Sequence, residues 1–305
     1  MADATIGAGS VMHEHLLAVA VTEMLRGARS GPVSVLDAGC GDGTLVGLLQ
    51  GQVPRLVPGV EIETHGFDVH DSDVQRPGFL NAAVQRLTTT VPEGSWIDRL
   101  HLISASDPWP FDADQFDIVV SNQVGEHVHN LDEFFAETAR VLRPGGFAAH
   151  LFPLRDYAYE GHLLLPIVHW IADHDLRTAF IRGFSRMGLG KYKVHVASAA
   201  GEAPSVDEWA ERHSDYIQFM THYRTWPEIA AAAKRAGLRS SYRYTADLYV
   251  RKWASIRGRS HPLVLSPRAP WQEALWFRVV KRVSSITVFL QKESTYRKRP
   301  GLGLH

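Results

Sequence analysis

The stretch "VLDAGCGDG", residues 35–43, ends an apolar run on Asp37 and then places glycine at positions 39, 41 and 43. Val33 to Leu36 read as a buried strand, so the glycines stand where that strand leaves its sheet. Open α/β sheets bind ligands beyond the carboxyl ends of their strands, and a turn without side chains lets the backbone approach a ligand closely. The spacing is G-x-G-x-G followed by Thr44, whereas a dinucleotide fingerprint requires G-x-G-x-x-G, which argues against a nicotinamide coenzyme.

Around this stretch hydrophobic runs and helical patterns alternate. His15 to Leu25 reads as a helix, Thr44 to Leu49 as the start of another, and Leu131 to Leu142 as a third with one apolar side. Thr64 to Phe67, Leu100 to Ser104, Phe116 to Ser121 and Phe147 to Phe152 read as strands, and "LRPGG", Leu142 to Gly146, turns the chain into the last of them. Such alternation implies an α/β fold, a mostly parallel sheet covered by helices on both faces. Residues 153–222 lose the rhythm and are expected to form a substrate-binding insertion, or cap, in a domain made of 1–152 and 223–305. Beyond it, "RTWPEIAAAAKRAGL" predicts a helix, "RSSYRYTADLYV" a strand, Trp271 to Val283 a helix and "SSITVFLQKE" a final strand.

The chain has 305 residues, of which 45% are hydrophobic and 21% charged, enough to bury one large core. No long uncharged apolar run predicts a membrane span, the N-terminus lacks a secretory pattern, and the single Cys40 excludes an internal disulfide. A cytoplasmic location is therefore expected. Net charge is −1, but residues 251–305 hold twelve Lys and Arg against Glu273 and Glu293. That basic region either solvates the last helix and tail or contacts an anionic partner. Neither an RNA-binding module nor interleaved basic and aromatic residues are present, so nucleic acid is not an expected partner.

Further motifs accompany the glycines in order: "HGFDVHD" with Asp68 at the end of a strand, "WPFDADQFDIVVSNQVGEHV", and "LRPGGF". Together with Asp37 they give the chain a pattern that resembles the class I S-adenosylmethionine-dependent methyltransferases, specifically the methyltransferase type 11 group, over roughly Val33 to Phe152. The resemblance implies a Rossmann-like seven-stranded sheet with an inserted cap after strand five and antiparallel sixth and seventh strands. It implies that Asp37, Gly39, Gly41 and Gly43 surround the methionine part of S-adenosyl-L-methionine, that Asp68 holds the ribose, and that Asn122 and Gln123 line the sulfonium pocket. Asp107 is similar to the acid that meets the adenine amine, with Ser106 or Ala105 as alternatives because the spacing to "PF" is short.

Methyl transfer to a hydroxyl needs a proton acceptor near the sulfonium, and histidine, with an ordinary pKa near ~6.5, is the natural one. His127 after strand four and His162 in the cap are the candidate bases. Some relatives carry E-x-x-E-H after strand four to hold a divalent ion. Here the stretch is Gln123-Val124-Gly125-Glu126-His127, and Glu126, His127 and His162 would be the ligands of Mg2+ or Mn2+. The other reading of "EHV" is a cap for the next helix. His169 is expected to be packed and His195 to lie on a strand, while Trp170, Tyr192, Tyr216, Phe219, Tyr223 and Trp226 either line a cleft or fill the core.

"FPLRDYAYEGHLLLPIVHW" resembles the segment after strand five in bacterial glycan methyltransferases, which implies hydroxyl-binding roles for Arg155, Asp156, Tyr157 and Glu160. The expected reaction is O-methylation of a saccharide or glycosylated small molecule. The alternatives are a lipid-like or quinone-type aromatic acceptor, and a non-catalytic partner subunit that binds the cofactor without turnover.

Overall fold

The computed structural model describes residues 10–28, 30–71, 78–198 and 203–294. Helix α1 (Val11–Arg26) leads into strand β1 (Gly31–Ala38), α2 (Thr44–Leu56), β2 (Val60–Val69), α3 (Phe79–Thr90), the short α4 (Trp96–Arg99) and β3 (Leu100–Ile103). The chain then crosses to β4 (Phe116–Asn122), α5 (Leu131–Val141) and β5 (Leu142–Phe152). After the cap come α9 (Trp226–Arg235), β8 (Leu238–Ser241), α10 (Thr245–Ile256), α11 (Pro270–Val280) and β9 (Ile286–Lys292), the numbers between them belonging to cap elements.

The seven strands lie in the order β3-β2-β1-β4-β5-β9-β8. β1 pairs in parallel with both β2 and β4, so the strand order reverses between β1 and β4 and opens a crevice at their carboxyl ends. Side chains alternate between the faces. Val33, Val35, Ile118 and Val120 meet one apolar cluster with α1, α2 and α10, and Leu36, Ala38, Phe116 and Val119 meet another with α5, α9 and Phe277 of α11. The expected mostly parallel sheet with helices on both faces is present, with one change. Only β9 runs against the others: it pairs antiparallel with β5 and with β8, so β8 recovers the common direction.

The segment expected as an irregular cap is largely helical. It contains β6 (Tyr159–Glu160) paired with β7 (Leu165–Pro166), a 3-10 turn at Val168–Trp170, α6 (His174–Arg186), α7 (Tyr192–Ser198) and α8 (Val206–Phe219). Leu163, Leu165, Val168, Ile181, Trp209, Ala210 and Ile217 close a small core of their own. His195 lies on α7, its ring tilted against Trp209 with centroids 4.8 Å apart, and not on a strand. The strand predicted over "RSSYRYTADLYV" stops at Ser241: Tyr244 takes a left-handed φ of 69° and the rest forms α10, which buries Ala246, Leu248 and Arg251.

Candidate active site

The turn after β1 is held by two backbone bonds, from the Gly39 and Cys40 N–H groups to the Phe67 carbonyl of β2 at 2.8 and 2.9 Å. Gly39 has φ 79°, and a Cβ there would stand 2.4 Å from Val124 Cγ2, so the turn and the loop after β4 touch where no side chain fits. Asp68 accepts the Gly41 N–H through Oδ2 at 2.6 Å and the Val69 N–H through Oδ1 at 2.7 Å. Asp37, 3% exposed, has Oδ1 buried without a hydrogen-bond partner among the described residues, as has Asn122 at its own Oδ1. Burial, reinforced by Asp68 and Asp42, pushes the Asp37 carboxyl well above its ordinary range, and burial also raises Asp68. A buried acid with an unpartnered oxygen, beside a second acid at the end of the neighbouring strand, fits a ligand that carries positive charge and hydrogen-bond donors.

Asp107 stands farther out, exposed on the turn after β3, where it accepts the Ser104 N–H at 2.9 Å. The sequence reading overlooked Asp71, which reaches the same turn from the end of β2. It accepts from Ser104 Oγ at 2.6 Å and the Ala105 N–H at 3.0 Å, and the Ser104 hydroxyl holds its carboxyl below the usual range.

Past β4 the loop brings Glu126 and His127 against the cap. A Cβ on Gly125 would lie 2.4 Å from the Phe152 ring, so this loop sits directly on the end of β5. His127 and His162 meet edge to face with centroids 5.1 Å apart, and Tyr216 of α8 stands 5.0 Å from His162. His162 Nδ1 lies 2.5 Å from Glu160 Oε1, the Tyr223 hydroxyl donates to the same oxygen at 2.7 Å, and the Leu163 N–H donates to Oε2 at 2.7 Å. Burial raises the Glu160 carboxyl, but these donors outweigh it and bring it to about 2. Glu126 is the opposite case: buried, with Oε2 unpartnered among the described residues, it is driven up to about 8 by burial and by Glu160 nearby. The cluster therefore holds one ionised and one protonated carboxyl at neutral pH. His127 Nδ1 lies 2.7 Å from the Met220 carbonyl, and burial lowers its pKa against that bond, which keeps the ring neutral. An imidazole whose Nδ1 donates to an oxygen presents Nε2 as the basic atom.

The remaining candidates have different partners. Gln123, at φ 57°, donates its backbone N–H to the Leu151 carbonyl at 2.7 Å and its Nε2 to Ser285 Oγ at 3.2 Å, binding β4 to β5 and to the start of β9. Asp156 is paired with Lys281 at 3.0 Å, Arg155 is exposed, and Tyr157 is half-buried with its pKa raised by burial and by Glu160. The expected divalent ion on Glu126, His127 and His162 is not supported. Among the described residues no three His, Cys, Asp or Glu side chains are disposed to hold a metal, and the acid that reaches His162 is Glu160, not Glu126. The aromatic set divides: Tyr216 and Tyr223 join the site, Tyr192 packs on Trp209, Trp226 on Tyr242 and Phe277, and Phe219 and Trp170 are exposed. His169 is half-buried beside Tyr223, as expected of a packed residue. Lys252, which no sequence pattern distinguished from a solvated charge, bonds Ser284 Oγ at 2.9 Å, and burial lowers its pKa to about 8.

A family model described as a methyltransferase domain matches residues 12–239. A methyltransferase from Streptomyces halstedii, GfsG, is 26% identical over 162 residues, 53% of this chain and 48% of that protein. A malonyl-[acyl-carrier protein] O-methyltransferase from a Methylovorus species is 27% identical over 163 residues, 50% of this chain and 51% of that one. These matches span about half the length of either relative. Among solved structures, a geranyl diphosphate C-methyltransferase from Streptomyces coelicolor aligns with a TM-score of 0.44 at 15% identity, over 91% of this chain and 75% of the other.

Proposed function

The chain belongs to the methyltransferase-domain family, and from that premise we propose that it transfers a methyl group from S-adenosyl-L-methionine to a hydroxyl of a saccharide or glycosylated small molecule. The observation that carries the reading is the hydrogen bond between His162 and the buried, ionised Glu160, set beside His127 over the ends of β4 and β5. Asp37 and Asn122, with buried oxygens awaiting donors, and Asp68 on the glycine turn are the groups that would hold the cofactor's ammonium and ribose, and Asp107 with Asp71 would flank its adenine. When bound, the cofactor supplies a methyl carbon made electrophilic by its sulfonium.

The protein's own work is positioning and proton transfer. His162 would take the acceptor's hydroxyl proton at Nε2 and Glu160 would stabilise the imidazolium, while the bound cofactor would supply the methyl group, its methyl–sulfur bond breaking as the new C–O bond forms and S-adenosylhomocysteine leaving as the neutral thioether. Glu126, protonated, donates a hydrogen bond to an acceptor oxygen. Tyr216, Tyr157 and Arg155 offer further hydroxyl-binding groups from the cap, which serves as the substrate-binding layer.

The test is methyl transfer from isotope-labelled S-adenosylmethionine to fractionated polar glycans and lipids. Label in a glycan fraction, lost by about 10²-fold or more in His162→Ala, is the expected result. Label confined to lipid or quinone fractions would replace the acceptor class. Cofactor binding without any labelled acceptor would make the chain a non-catalytic partner subunit.

A further inference from the structure

Helix α11 buries Phe277 and Val280 and leaves Trp271, Leu275 and Val279 exposed at four-residue spacing. Trp276 meets the ring of Tyr249 on α10, and Tyr249 meets Trp253, so the open apolar surface continues from one helix to the next. Trp271 is 68% exposed and Ile256 76%. Large apolar side chains this open on adjoining elements mark an interaction surface, unlike single scattered ones.

The charges around this surface have one sign. Arg257 lies over the Trp253 ring at 5.1 Å, and neither it nor Arg259, Arg278 or Arg282 pairs with a carboxylate among the described residues. Glu273, the acid of α11, is largely buried and turned toward Arg268. Two copies meeting through this face would oppose arginines with no acids between them, whereas a surface of lipid phosphates would supply the missing charge.

We propose that α10 and α11 dock this protein on an anionic membrane surface, with Trp271, Leu275 and Val279 entering the headgroup boundary and the arginines meeting lipid phosphates. No helix among the described residues is long and apolar enough to cross a membrane, so the contact is peripheral. The surface is continuous with the cap: the Arg282 carbonyl accepts the Ala158 N–H at 2.9 Å and Lys281 bonds Asp156, on the segment that carries Glu160 and His162. The basic Arg297, Lys298 and Arg299 fall outside the described residues and form no part of the inference.

The experiment is co-sedimentation of the full chain with vesicles of phosphatidylcholine alone and of phosphatidylcholine with phosphatidylserine, at low and high salt. Binding is expected on the anionic vesicles only, weakened by salt. It should fall about tenfold in a Trp271→Ser/Leu275→Ser double variant and again in Arg278→Glu/Arg282→Glu, with unchanged circular dichroism. Equal binding to neutral vesicles, no binding, or binding that neither variant alters would overturn the proposal. So would a concentration-dependent dimer in sedimentation that the double variant dissolves, which would assign the face to a second copy of the chain.

Discussion

Glu126 and Glu160 show how two like residues a short distance apart acquire opposite charge states. Glu160 has three donors and is ionised, while Glu126 is buried with an unpartnered oxygen and titrates at about 8. The folded protein therefore keeps a proton on Glu126 that the unfolded chain releases above its ordinary pKa of 4.5. Stability should fall as pH rises from about 4.5 to 8, by up to ~1.4 kcal/mol per pH unit for this group. Glu126→Gln should flatten that slope, as urea melts between pH 5 and 8 would show. Glu160 works in the other direction: its folded pKa is depressed, so its contribution is complete above about 4.5 and is lost as pH falls toward 2. Asp37, Asp68 and the glycines were legible in the sequence because a backbone turn and a strand end have local signatures. Glu160 as the partner of His162, and Asp71 as the partner of Ser104, were not legible in those roles, since their partners are set by how loops pack.

Among the elements, α8 is the one whose signal the sequence carried and the periodicity obscured. Ser205 caps it by accepting the Glu208 N–H, and Glu208 returns a bond to the Ser205 N–H at 2.8 Å, a reciprocal S-x-x-E arrangement. Ser205→Ala should lower stability by about 1 kcal/mol, measured by chemical denaturation, and because Tyr216 rides on α8 it should raise KM for the acceptor more than it lowers kcat. Charged and histidine residues dilute the apolar face of this helix, which is why the segment read as irregular. The opposite error was made at α10, where alternating aromatic and polar residues imitate a strand; the left-handed Tyr244, its ring packed on Phe289 and its hydroxyl bonded to Arg26 at 2.6 Å, sets the start of a helix instead. At the loop after β4, Gly125→Ala should cost roughly 1–3 kcal/mol, seen as a lowered denaturation midpoint, because its Cβ would have to displace Phe152.

For the whole molecule, the unpartnered buried oxygens of Asp37 and Asn122 are acceptors that the proposed cofactor would satisfy. S-adenosylmethionine at about 100 times its Kd should stabilise the fold by ~2.7 kcal/mol, visible as a rise in Tm, and Asp68→Asn should remove most of that rise. The alternation of strands and helices made the sheet legible from Val33 to Phe152, because each strand is flanked by its own helix in sequence. The position of β9 was not legible, since a strand inserted between β5 and β8 has neighbours that lie far from it along the chain. That insertion also governs the protein's history. β8 leaves the ribosome before β9, the strand it pairs with, and Ser285, which anchors Gln123, emerges just ahead of β9. During synthesis the sheet must wait with an open edge at β5, and the pocket acquires its last support only when the final strand arrives. A chain halted before residue 284 would have its glycine turn and its histidines in place but would lack the Ser285 contact to Gln123 and the strand that covers the edge of β5.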